Sequence, residues 1–81
     1  MALPTVKESA GELRTRLRSE KDLVRKDRLQ LLYSIKTGLV RTRIEAAELL
    51  GKNRNTIGRW LSIYEREGLD ALLSIQNHRN N

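Results

Sequence analysis

RIEAAELLGKNRNTIGRWL, residues 43–61, reads as a short helix, a glycine turn and a second helix. Two helices that cross near a right angle need small side chains where their backbones approach, and Ala46 and Ala47 supply them. Gly51, four residues after Ala47, suits a turn that takes positive φ. Ile57 lies six residues beyond the glycine and drops back onto the first helix. Trp60, Leu61 and Tyr64 continue that inward side, at about −60°, +40° and −20° from Ile57. The opposite side gathers Asn55, Arg59, Ser62 and Arg66, with Lys52 and Thr56 at its edge. Gly58 stands mid-helix, where it costs roughly 1 kcal/mol against alanine. Three explanations fit it: close approach to the floor of a groove, close packing on another helix, or simple tolerance.

Working outward, Thr42 caps a helix over Arg43–Leu50, with Glu45 closing a capping box. Asn53 caps the next helix, from Arg54 to about Glu67, and Gly68 ends it. Asp70 is placed to cap a last turn over 71–74, and residues 75–81 read as a flexible polar tail. Upstream, Thr5-x-x-Glu8 and Ser9-x-x-Glu12 offer two capping boxes one turn apart, and Leu13 and Leu17 share a face. Ser19-x-x-Asp22 restarts the chain as another helix, for which Val24, Leu31, Leu32 and Ile35 fall on one side. Leu29 flanks that side and Tyr33 lies opposite. Lys36 and Gly38 form the stop. The expected fold is all-α, a small multi-helix bundle containing a helix-turn-helix. It forms one domain over 1–74, with N-terminal helices within 5–37 and the helix-turn-helix at 43–67.

The chain has 81 residues, enough for one small core and no large cleft. Without cysteine it has neither disulfides nor thiolate metal ligands. Its net charge is +6, and the excess is uneven. Residues 1–37 carry nine basic and five acidic groups, 38–61 five and two, and 62–81 two and three. A positive field over the first three quarters suits a polyanion such as nucleic acid, or an anionic membrane surface. No apolar run is long enough to span a bilayer, and the N-terminus lacks the apolar stretch of a signal peptide. The expected compartment is the cytosol, or the nucleoid of a prokaryote.

Ala47, Gly51, Thr56-Ile57, Arg59-Trp60-Leu61, Tyr64 and Gly68-Leu69, with the trailing YEREGLDAL, carry a resemblance. Over roughly residues 28–74 the chain resembles the N-terminal helix-turn-helix of mariner-type bacterial insertion-sequence transposases, and related homeodomain-like modules. The resemblance implies that the helix from Arg54 to Arg66 enters the DNA major groove. It also implies that Asn53, Arg54, Asn55, Gly58 and Arg59 occupy the contact positions. Lys52 departs from the pattern by standing where such turns usually carry an aliphatic residue. The 81 residues hold no counterpart of a transposase's acidic catalytic domain.

Among these positions Arg59 and Asn55 are the candidate base readers, since arginine pairs bidentately with guanine and asparagine with adenine. The bland alternative is a solvated helix face. Lys52, Arg54 and Thr56 sit at a helix start that favours phosphate, and equally serve capping and solubility. Arg41, Arg43, Ser62 and Arg66 complete the candidate phosphate contacts. Trp60 and Tyr64 read as core rather than as a platform for stacked bases. The row Arg14, Arg16, Arg18, Lys21, Arg25, Lys26 and Arg28 alternates with Glu12, Glu20, Asp22 and Asp27, and reads as solvent-facing. A second phosphate surface is its alternative. Leu13, Leu17 and Tyr33 offer a self-association face through which the N-terminal helices would pair two chains.

Chemistry on a substrate finds no support, because the sole histidine, His78, lies in the polar tail. No cofactor or metal is expected, and no enzymatic role. The expected function is sequence-specific binding of double-stranded DNA, as a transposase-type end-recognition module or a small transcriptional regulator. The rival is a helical protein-interaction or dimerisation module with a basic surface, and structured RNA is a third possible partner.

Overall fold

The computed structural model describes residues 3–74, so the expected tail at 75–81 lies outside the described residues. Five helices follow in order: α1 (Ala10–Ser19), α2 (Leu23–Lys36), α3 (Arg43–Leu50), α4 (Arg54–Glu67) and α5 (Leu69–Ser74). There is no strand among the described residues. The all-α expectation holds, and so do the bounds of α3 and α4.

Side chains set the helix starts. Of the two capping boxes upstream, the later one is used: Ser9 Oγ accepts from the Glu12 N–H at 3.1 Å. α2 begins on Asp22 rather than on Ser19, which is the last residue of α1. The Asp22 carboxylate accepts from the N–H groups of Val24 and Arg25. Those bonds, Arg25's foremost, hold its pKa below the usual value because they favour the charged form. Thr42 Oγ1 accepts from the Glu45 N–H at 3.1 Å. Glu45 reaches back one residue further than a capping box requires, to the Arg41 N–H at 2.7 Å. Asp70 does not cap α5 but lies inside its first turn, and the Gly68 carbonyl takes the Leu72 N–H instead.

α2 is the centre of the packing, in contact with α1 on one side and with α3 and α5 on others. It therefore buries Leu29, Leu31, Leu32, Ser34 and Arg28, more than one face. Tyr33, expected to lie opposite the core, is partly buried against it. Leu13 of α1 is wholly buried and Leu17 packs on the core, so neither contributes an open apolar face. The N-terminal helices cover the core of their own chain.

Ahead of α1, residues 3–9 are non-helical. Val6 is buried, and its carbonyl accepts from Lys36 Nζ at 3.0 Å. The Lys7 N–H donates to the Tyr64 hydroxyl at 2.9 Å, and that hydroxyl donates to Glu8 Oε1 at 2.5 Å. This strap ties Val6, Lys7 and Glu8 to α2 and α4, far away in sequence. Among the described residues, no helix is long and apolar enough to cross a membrane.

Candidate nucleic-acid interface

The turn between α3 and α4 is built as its residues demand. Ala46 and Ala47 are buried where α3 meets α4. Gly51 takes φ 66°, ψ 35°, the left-handed conformation that a Cβ disfavours. The next amide, Lys52 N–H, then closes on the Ala47 carbonyl at 2.9 Å. Asn53 Oδ1 accepts from the Asn55 N–H at 2.7 Å and starts α4.

α4 is divided lengthwise. Ile57, Trp60, Leu61 and Tyr64 are buried, Ile57 completely. Trp60 and Tyr64 are thus part of the core, with no exposed ring for a base to stack on. Arg54, Asn55, Arg59, Ser62 and Arg66 are exposed along the helix. Asn53 and Lys52, ahead of it, are exposed as well, and Thr56 is half-buried. Arg41 and Arg43 stand exposed at the approach to and first position of α3. The Arg66 Nε–H leans back along the helix toward the Ser62 carbonyl, at 3.4 Å.

Four features of this region were not drawn from the sequence. Lys52 Nζ is paired with the Asp27 carboxylate of α2 at 3.3 Å, so the odd residue in the turn is bridged to the central helix. Both partners are more than a third exposed, and such a pair contributes below about 1 kcal/mol.

Arg28, expected among solvent-facing charges, is 1% exposed, and this corrects the reading of the charged row. Its guanidinium lies 5.3 Å from the centroid of the Trp60 ring, and its Nη1 donates to the Leu72 carbonyl at 3.0 Å. It therefore ties α2 to α4 and α5 from inside. Burial first, and the positive charge of Arg59 second, lower its pKa. The signal was present in the spacing, since position 28 falls between Val24, Leu31 and Leu32 on the same helical side.

Tyr64 is the third feature. Burial, and then its bond to the Glu8 carboxylate, raise its pKa above 10.0. The strap that supplies Glu8 has no periodicity by which it could be recognised.

Gly58 is the fourth. A Cβ built on it would stand 3.0 Å from Arg43 Nη1, 3.5 Å from Cζ and 3.9 Å from Cδ. The neighbour is the end of an arginine side chain from the start of α3, not the backbone or an apolar side chain of another helix.

A family model described as a homeodomain-like domain, of the helix-turn-helix type, matches residues 22–73. The matched stretch runs from the cap of α2 to the penultimate residue of α5, leaving out α1 and the strap. No curated protein and no solved structure matches the chain.

Proposed function

The chain belongs to the homeodomain-like helix-turn-helix family, and from that premise we propose that it recognises a specific sequence of double-stranded DNA through α4. Homeodomain-like helix-turn-helix modules are typically DNA-binding and non-catalytic. The observation that carries the proposal is the division of α4: its apolar side is consumed by the core, while Arg54, Asn55, Arg59, Ser62 and Arg66 are left exposed. A major groove admits one helix, and side chains along the helix's exposed length reach the base edges.

In this reading Arg59 and Asn55 discriminate bases, with Asn53 and Arg54 at the helix start beside them. Lys52, Thr56, Arg41, Arg43, Ser62 and Arg66 hold the flanking phosphates and fix the register. Lys52 exchanges its carboxylate partner Asp27 for a phosphate on docking. The protein serves either as the end-recognition part of a transposase-type system or as a small transcriptional regulator, acting in the cytosol or nucleoid where DNA is open to it.

Fluorescence anisotropy against a duplex chosen by selection from random sequences tests this. With about four to six phosphate contacts, log K falls by roughly 4–5 per tenfold rise in salt. Arg59→Ala flattens the preference among duplexes, removing roughly 1–3 kcal/mol of discrimination at one base pair. Lys52→Ala weakens all duplexes alike and makes the salt slope shallower. Equal effects of the two substitutions on every duplex would overturn the division of roles. The rival reading, a self-associating module, drew on an open patch at Leu13, Leu17 and Tyr33. Leu13 is fully buried and the other two pack on the core, so that support is gone.

A further inference from the structure

We infer that Arg14, Arg18 and Lys21, along α1 and at its junction with α2, form a second phosphate-binding surface that grips the DNA backbone outside the groove read by α4. The inference goes beyond the residues of the proposed function and rests on that reading only for the identity of the polyanion.

Residues 1–37 carry five carboxylates, and each is engaged away from these three cations. Glu8 accepts from the Tyr64 hydroxyl, and Asp27 pairs with Lys52. Glu20 Oε2 accepts from the Asp22 N–H at 3.1 Å, and Asp22 in turn from the N–H groups of Val24 and Arg25. Glu12 faces Arg16 at 3.9 Å. Several bases are engaged as well: Lys36 with the Val6 carbonyl, Arg25 with the Leu73 carbonyl and Arg28 with that of Leu72. Arg14, Arg18 and Lys21 are exposed, and among the described residues their side chains make no hydrogen bond or ion pair. The charges alternate in sequence, but in space the acids are drawn to caps, a hydroxyl and other cations. The bases of this row are left over.

Their placement is regular. Arg14 and Arg18 are one turn apart on a flank of α1 beside the buried Leu13 and Leu17, and Lys21 follows three residues later. Like charges at that spacing repel one another and weaken a helix, and a row of phosphates removes the repulsion. A planar guanidinium also suits a pair of phosphate oxygens.

The row ends where the surface around α4 begins. Residues 20–22 lead directly into α2, and Asp27, about 8 Å further along that helix, touches Lys52 ahead of α4. Lys26, exposed beside Asp27, stands between Lys21 and Lys52 in this series. The two basic surfaces thus adjoin at one end of the bundle, and a duplex longer than the recognised site meets both. α1 lies outside residues 22–73 of the family match, so this grip is an addition to the module.

The test combines Arg14→Gln, Arg18→Gln and Lys21→Gln in one full-length variant. It is compared with wild type on two duplexes, the selected site alone and the same site extended by about ten base pairs, one helical turn, on each side. On the extended duplex the variant should bind about 10- to 30-fold more weakly, with a salt slope shallower by about two to three, one phosphate for each cation lost. On the site alone the two proteins should bind within about threefold, since salt screens charges that make no contact. Base preference should be unchanged, and the variant should melt at or above the wild-type temperature at low salt.

Equal affinity and slope on the extended duplex would overturn the second surface. So would an equal loss on both duplexes, which reports a general field rather than a grip outside the site. A variant that melts well below wild type shows that these cations serve the fold, with the same consequence. Binding of wild type to anionic phospholipid vesicles, lost in the variant while both duplexes bind unchanged, assigns the cations to a membrane surface instead. Arg59→Ala, titrated alongside, reports on α4 alone. If it leaves base preference intact while the triple variant still lowers the slope, the reading of α4 falls and the second surface stands.

Discussion

α2 and α4 have the same length, fourteen residues, and both start on an acceptor side chain, Asp22 in one and Asn53 in the other. They are used in opposite ways. α2 is packed by α1, α3 and α5 and buries even a serine and an arginine. α4 buries four apolar and aromatic residues on one side and leaves its arginines and asparagine outside. The pair Arg28 and Arg59 condenses the difference. One guanidinium is held against Trp60 and a backbone carbonyl inside the bundle; the other is exposed on the same helix as that tryptophan. A charge on a helix therefore says little until its neighbours in space are known. α2 serves as scaffold so that one side of α4 can remain open.

Trp60→Ala is the largest way to break this contrast, because it removes the ring that both anchors α4 and covers Arg28. The expected loss is about 3–5 kcal/mol, a large part of the stability of so small a domain. Urea unfolding followed by circular dichroism measures it. A loss below 1 kcal/mol would mean that α4 is not anchored through that side.

Arg28→Ala comes next, at about 1–3 kcal/mol, since it strands the Leu72 carbonyl and empties the space beneath the ring. Its counterpart Arg59→Ala should leave the urea midpoint nearly unchanged and alter base preference instead. If Arg28→Ala changed base preference at unchanged stability, the assignment of inside and outside would be reversed.

The smallest effect is expected at the strap. Tyr64→Phe keeps the buried ring and loses the hydroxyl bonds to Glu8 and Lys7, about 1 kcal/mol. The same hydroxyl contributes to the alkaline limb of stability. Its pKa is raised in the folded chain, so folding favours the protonated phenol. That contribution is complete below 10.0, the ordinary tyrosine value, and is lost as pH rises through the higher folded value. Wild type should therefore lose melting temperature above about pH 10 more steeply than Tyr64→Phe, a comparison that thermal melts at stepped pH provide. Parallel curves would show that the strap is not tied through this group.

Much of the fold was legible in the residue order. Thr42, Asn53 and Gly51 announce the starts and the turn of α3 and α4, because a cap or a positive φ is a local demand that one residue satisfies. Ile57, Trp60, Leu61 and Tyr64 announce the inner side of α4 by spacing alone. Two local expectations were displaced, Asp22 in place of Ser19 as the cap of α2 and Asp70 inside α5 rather than ahead of it, while of the two boxes left open upstream the one at Ser9 is used. In the two that were displaced, groups a few residues apart competed for one role. Arg28 was misread because composition was weighed above position, although its spacing from Val24 and Leu32 pointed inward.

The order of residues by itself determined that this chain is helical, where its turn falls, and which side of α4 is apolar, since these follow from short-range sterics, hydrogen bonding and periodicity. Only the tertiary structure decided that Arg28 goes under Trp60, that Lys52 meets Asp27, that residues 3–9 bind Tyr64, and that Arg43 lies across Gly58. Each joins parts of the chain that no local rule relates. Their meeting depends on how the helices cross, which is fixed by the packing of the whole core.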